Sequence, residues 1–118
     1  MGGAVSYRAG LAAEEAVARR YAGEGASLAA RRWRGRSGEI DLVVRDRDGN
    51  TVFIEVKQSR SHAEAALHLG ERQMRRIWSA ASEFLAGEPL GQATPSRFDV
   101  ALVDGQGQVE VIENAFAA

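Results

Sequence analysis

The chain contains no cysteine, which excludes disulfides, thiolate metal sites and cysteine nucleophiles and suits a reducing compartment. No apolar run is long enough to span a bilayer, and no apolar signal segment follows Met1, so a cytoplasmic protein with no membrane partner is expected. Met1-Gly2-Gly3-Ala4-Val5-Ser6 fits the pattern for N-myristoylation, but no polybasic stretch or second lipid signal accompanies it, and it reads as a flexible lead. Neither sign of charge dominates: 15 Lys and Arg against 16 Asp and Glu leave a formal net charge of −1. Repeats, low-complexity tracts and a Gly-rich phosphate loop ahead of a helix are all absent, and spacing supports no Ser–His–Asp constellation. His62 and His68 lack the short helical spacing of metal ligands and read as surface or loop histidines.

What is present is an ordinary globular composition, 118 residues with 45% apolar content. That is enough for one domain spanning residues 1–118, able to bury roughly two thirds of its unfolded surface. Two segments carry the most information. Gly38-Glu39-Ile40-Asp41-Leu42-Val43-Val44 and Val52-Phe53-Ile54-Glu55-Val56-Lys57 both alternate with period two, and the turn-rich Arg47-Asp48-Gly49-Asn50 joins them. Ile40, Leu42 and Val44 share a core face with Val52, Ile54 and Val56. Antiparallel pairing about the turn sets Val43 opposite Phe53, Asp41 opposite Glu55 and Glu39 opposite Lys57, all on the other face. A slip of one residue would turn an entire apolar set outward, so the parity of this arrangement is fixed.

Opposed residues lie about 5 Å apart, where two like charges repel by roughly 3 kcal/mol at an effective dielectric near 20. Lys57, protonation of one acid, or a divalent cation held by carboxylate oxygens could each relieve that repulsion. A magnesium-dependent hydrolytic site fits the pattern, with a lysine to position water or neutralise charge on a phosphate. So does a solvent-facing hairpin carrying a charged cross-strand ladder.

Arginine is locally dense. Arg31, Arg32, Arg34 and Arg36 surround Trp33, and Arg72, Arg75 and Arg76 recur further on. Guanidinium groups with an interleaved aromatic suit phosphate contacts and base stacking; the alternative is a solvated edge with Trp33 in the core. A helix is expected from about Leu11 to Gly23, with Val17 and Tyr21 on an apolar stripe that reaches back to Gly10 and Glu14. Glu14 therefore points inward and is a candidate fourth acid, with Glu15 the second choice; an acid favoured by the helix dipole is the other reading. Ser27 to Trp33 reads as an edge strand and Gln58 to His68 as a mobile loop. Glu71 to Leu85 reads as a helix burying Met74, Ile77, Ala81, Phe84 and Leu85 and ended by Gly87 and Pro89. Phe98–Val103 and Val109–Ile112 read as a second hairpin. The order predicts an α/β sandwich, a mixed sheet of four to five strands flanked by helices.

Gly38-Glu39-Ile40-Asp41, Phe53-Ile54-Glu55-Val56-Lys57 and Arg97-Phe98-Asp99-Val100 together resemble the signature of the YraN-like uncharacterised bacterial proteins. Those form a branch of the PD-(D/E)XK nuclease superfamily, similar to archaeal Holliday-junction resolvases. The likeness runs from the helix containing Glu14 to Val100 and implies a restriction-endonuclease-like fold. It implies Asp41 and Glu55 as holders of Mg2+ or Mn2+, Lys57 as the catalytic lysine, Glu14 as the helix-borne acid and Glu39 in support. Gln73, beside Arg72, stands where related sequences tend to carry a lysine; a glutamine can orient water or a phosphate oxygen but brings no charge. The function expected is an endonuclease hydrolysing phosphodiesters in DNA, branched or structured, with Arg34, Arg36, Arg72 and Gln73 on the backbone and a homodimer as the working form. The alternatives are a non-catalytic nucleic-acid-binding module partnering a DNA-processing complex, and a plain structural domain.

Overall fold

The computed structural model describes residues 2–63 and 70–115, with side chains from residue 10 onward. Its elements are helix α1 (Gly2–Gly23), strands β1 (Ser27–Arg34), β2 (Glu39–Arg45) and β3 (Thr51–Gln58), helix α2 (Glu71–Leu85), a short 3-10 turn (Gly91–Ala93), and strands β4 (Ser96–Val103) and β5 (Val109–Ile112). The five strands lie in sequence order, antiparallel except for the parallel β3–β4 pair. A parallel pair needs a long crossover, and α2 lies within the segment that returns the chain from β3 to β4. The result is the expected α/β sandwich around a mixed sheet.

Both faces of the sheet are sealed. On one, Ala13, Val17 and Tyr21 of α1 cover Leu42, Val44, Val52, Ile54, Ala101 and Val103. On the other, Ile77, Ala80, Ala81 and Leu85 of α2 cover Val43, Phe53, Phe98, Val100 and Leu102. Alternation in β2 and β3 therefore does not separate core from solvent; it separates two cores. Met74 and Phe84 of the expected α2 stripe are only partly buried. Trp33 turns inward and meets Phe84 edge-on at 5.4 Å, so it is committed to packing rather than open to a stacked base.

The hairpin register is the expected one, with Val43 opposite Phe53 and Val44 opposite Val52. Its turn is pinned by Asp46, whose Oδ1 accepts the amides of Asp48 (3.0 Å) and Asn50 (2.9 Å). Gly49 takes the left-handed φ of 88° that this turn requires. Ile40 departs from the expected parity and joins the α2-side core instead of sitting with Leu42. The recorded β2–β3 ladder ends at Leu42 opposite Ile54, and beyond it the Asp41 carboxylate, not a backbone carbonyl, accepts the Val56 amide at 2.8 Å. Strand β1 is irregular at the same level: Arg32, between the paired Arg31 and Trp33, has φ 47°.

Three other expectations shift. Helix α1 starts at Gly2 rather than near Leu11. In the expected loop, Gln58 still belongs to β3 and residues 62–63 are helical; residues 64–68, with His68, lie outside the described residues. Strand β4 begins at Ser96, two residues early.

Asp99 ties the layers together. It is fully buried and accepts hydrogen bonds from the Tyr21 hydroxyl (2.7 Å), from Arg97 Nε (3.0 Å) and Nη2 (3.2 Å), and from the Asn114 amide (3.0 Å). Helix, sheet and the segment after β5 thus meet on one carboxylate. Burial and the bond to Asp99 push the Tyr21 phenol well above its ordinary range. Tyr21→Phe keeps the ring and removes one donor to a buried charge, so it should cost about 1.5–3 kcal/mol in urea denaturation, while Asp99→Ala, which leaves the Tyr21 hydroxyl and the Asn114 amide without their acceptor, should cost about 2–4 kcal/mol. A loss below 0.5 kcal/mol for both variants would show that the network is ornamental.

Candidate functional site

Period two carries Asp41 and Glu55 to the face of the sheet covered by α2, where both line one cavity of about 250 Å³. Glu39 and Gly38 from the start of β2 and Gln73, Arg76 and Ile77 from α2 complete its wall. Glu55 is 7% exposed. Its Oε1 accepts a hydrogen bond from Gln73 Nε2 (3.1 Å) and lies 3.6 Å from Lys57 Nζ, which reaches it from two residues along the same face. The Asp41 and Glu55 carboxyls lie within hydrogen-bonding reach of each other, a bond that forms when one of them carries a proton.

The electrostatics follow from that geometry. Burial, and then the neighbouring Asp41 charge, push the Glu55 carboxyl up to about 8. Burial also raises Asp41, against the opposing pull of the Val56 amide, the Glu55 hydrogen bond and Lys57. The pair therefore holds one proton between two carboxyl groups at neutral pH. Such a pair can accept a proton, release one, or exchange it for a cation bound by carboxylate oxygen. Among the described residues no group of three or more His, Cys, Asp and Glu side chains is placed to cage a metal. The oxygen donors present, two carboxylates, are of the kind that a hard divalent ion retaining much of its water would take.

The remaining predicted residues divide. Glu14 is buried, as its stripe position requires, and Glu15 is exposed. Glu14, however, sits on the helix that covers the other face of the sheet, accepts from Arg32 Nε at 3.0 Å, and is absent from the cavity wall. Arg34 is spent on an exposed pair with Glu39 (3.0 Å), and Arg31 on Glu15 (2.9 Å). Arg36 and Arg72 are exposed, and Gln73 is inside the cavity. His62 bridges to Glu110 (3.2 Å) and to the Gln108 carbonyl (2.9 Å), so it anchors the chain after β3 to the β4–β5 turn.

Two contributors are not among the predicted site residues, although Arg76 belongs to the arginine group noted on the later helix. Arg76 enters the wall three residues after Gln73, on the same helical face, a spacing visible in the sequence once Gln73 is fixed. Glu83 accepts the amides of Arg36 (2.7 Å) and Ser37 (2.9 Å) and so grips the β1–β2 turn. No local signal marks that clamp. Gly35 makes it possible, because a Cβ there would lie 2.8 Å from both Glu83 Oε1 and Trp33 Cζ3. A larger cavity of about 520 Å³ opens on the α1 side among Ala12, Gln58, Arg60 and Asp104, but it holds a single acid and no cluster of reactive groups. No described helix is long and apolar enough to cross a membrane.

The fold and the cavity define a small α/β protein with two neighbouring carboxylates, Glu55 buried and Asp41 half-buried, on a mixed five-stranded sheet. Residues 13–103 match the Uncharacterised protein family UPF0102, and the chain belongs to that family. Similar relatives include UPF0102 protein Rsph17025_0472 of Cereibacter sphaeroides, 66% identical over 118 residues that span all of both chains. UPF0102 protein SPO0400 of Ruegeria pomeroyi is 60% identical over 114 residues, covering 97% of this chain and 92% of the relative. Among solved structures, a repair endonuclease from Pyrococcus abyssi overlaps 73% of this chain and 33% of its own at 23% identity, with a TM-score of 0.47. The EndoMS–dsDNA2 complex overlaps 63% of this chain and 26% of its own at 23% identity, with a TM-score of 0.39.

The pair makes a prediction about stability. Folding raises the Glu55 pKa from its ordinary 4.5 to about 8, so the folded state binds the proton more tightly than the unfolded chain. Its contribution to stability is complete below pH 4.5 and drains away as pH rises toward 8. Glu55→Gln removes that titration. In metal-free buffer it should match the parent near pH 4 and exceed it on the order of 2–4 kcal/mol by pH 8. Parallel stability profiles of the two proteins from pH 4 to 8, read by urea denaturation, would contradict the shared proton.

Proposed function

We propose that this protein is a metal-dependent nuclease that hydrolyses phosphodiesters in DNA, with branched or structured DNA as its substrate. The observation that carries the reading is the Asp41–Glu55 pair, a half-buried and a buried carboxyl group lining one cavity, with Lys57 Nζ 3.6 Å from Glu55. Burying two acids side by side costs several kcal/mol that a plain structural role does not repay. A site that exchanges its proton for Mg2+ or Mn2+ gives the arrangement a use. The ordered blocks around Asp41, Glu55-Val56-Lys57 and Asp99 agree with it.

In this reading Asp41 and Glu55 hold the ion, which when bound supplies a lowered water pKa and charge for a phosphate oxygen. Lys57 positions the attacking water and neutralises charge that develops on the phosphate. Gln73 donates to Glu55 Oε1 and so keeps that oxygen oriented. Arg36 and Arg72, and Arg34 once it leaves Glu39, contact the backbone and are blind to base sequence. The protein works in the cytoplasm, as a homodimer where two strands are cut.

A second reading, a nucleic-acid-binding module without turnover that partners a DNA-processing complex, is favoured by one observation. Gln73 brings no charge to a cavity already rich in acids.

Magnesium should raise the parent's melting temperature by mass action, and at pH 7 its binding should release a proton. Asp41→Asn and Glu55→Gln should each abolish that shift together with cleavage of a panel of junction, flap and duplex DNAs. Equal magnesium stabilisation of parent and variants would remove the acids from the metal site and end the enzymatic reading. DNA binding without cleavage in Mg2+ or Mn2+ would select the second.

A further inference from the structure

Charge around the cavity is unevenly committed. Its wall holds three acids, Glu39, Asp41 and Glu55. Lys57 is spent on Glu55 at 3.6 Å, Arg34 on Glu39 at 3.0 Å, and the Gln73 amide on Glu55 at 3.1 Å. Arg76 is the cation that remains in the wall, exposed and forming no ion pair with any described residue. A phosphodiester is an anion, and without an uncommitted cation this acidic cavity would repel it.

The surroundings keep Arg76 available. Gln73, Arg76 and Glu83 fall on one face of α2, at steps of three and seven residues. Glu83 pins the β1–β2 turn through the Arg36 and Ser37 amides, and that turn ends at Gly38, which backs onto Arg76. A Cβ at residue 38 would lie in ordinary contact with the Arg76 Cβ at 3.6 Å, so the pinned turn runs directly alongside the base of the Arg76 side chain. The clamp thus fixes the wall opposite Arg76 without using its charge.

We propose that Arg76 is the residue that grips the scissile phosphodiester at the Asp41–Glu55 cavity, with the turn pinned by Glu83 as the facing wall. This rests on the nuclease reading and names its substrate-binding residue. A planar guanidinium can take two non-bridging phosphate oxygens at once, which orients the phosphorus toward the acids as a lysine would not.

The test compares full-length parent, Arg76→Ala, Arg76→Lys and, as a control on α1, Arg19→Ala. Cleavage of a labelled four-way junction in Mg2+ gives kcat and KM. Junction binding in the Glu55→Gln background gives affinity and its salt dependence, and melts with and without Mg2+ report folding and metal binding. Arg76→Ala should lose about 10- to 100-fold in kcat/KM and about one counterion's worth of salt slope, with an unchanged magnesium shift. Arg76→Lys should recover only part of the loss, and Arg19→Ala should behave as the parent. If the parent cleaves and Arg76→Ala cleaves equally well, the assignment of Arg76 is overturned while the nuclease reading stands. If the parent binds the junction but does not cleave it, the nuclease reading falls, and with it a scissile phosphate for Arg76 to grip.

Discussion

A carboxyl group at Glu55 lies almost out of water beside a second one at Asp41, and most of what surrounds them answers that fact. The two cannot both stay ionised in such a place, since like charges this close repel by roughly 3 kcal/mol even at an effective dielectric near 20, and burial adds its own penalty. A proton shared between the two groups meets part of the cost, the Val56 amide and the Gln73 side chain another part, and Lys57 the rest. The partners come from two constraints: Val56 and Lys57 from the pleat of β3, Gln73 from the face of α2. The pair persists only because the sheet and helix hold all of them at once.

That rigidity comes from a sheet closed on both faces. Phe53 stacks on Phe98 with ring centres 5.2 Å apart, and the core beneath α2 sets the height of Gln73 and Arg76 above the acids. On the far side, Asp99 fastens α1 and the segment after β5 to β4 through Tyr21, Arg97 and Asn114. The Asp99 of the Arg97-Phe98-Asp99-Val100 block is therefore an internal fastener facing α1, not a member of the cavity. Two buried carboxyl environments in one small protein follow opposite logic. Asp99 is saturated with donors, including an arginine, whereas Glu55 and Asp41 share the single cation Lys57 and have their pKa values held up by burial and, at Glu55, by repulsion from Asp41.

Local pattern made much of this legible. The stripe from Ile77 to Leu85 fixed α2 at Glu71–Leu85, and turn chemistry with alternation set Val43 opposite Phe53, which brings Asp41 and Glu55 to one cavity. Features set by long-range contacts were not legible. The parallel pairing of β3 with β4, the Glu83 clamp 46 and 47 residues from its partners, and the Tyr21–Asp99 bond across 78 residues leave no periodic trace. Glu14 lies inward, as its stripe position requires, but its partner leaves no local signal, because Arg32 reaches it from a strand whose backbone turns left-handed there. Ile40 broke parity where a side chain replaced the backbone ladder. Helix α1 extends through a start with glycine at positions 2, 3 and 10, which propensity alone disfavours.

The account stands on Asp41 and Glu55 forming a cation site. Crystals soaked in Mn2+ and measured at the manganese absorption edge test this most directly. The account predicts an anomalous peak within coordinating distance of a carboxylate oxygen from each residue. No peak there, or a manganese ion bound elsewhere on the protein while Glu55 keeps its proton and its bond to Asp41, would contradict it.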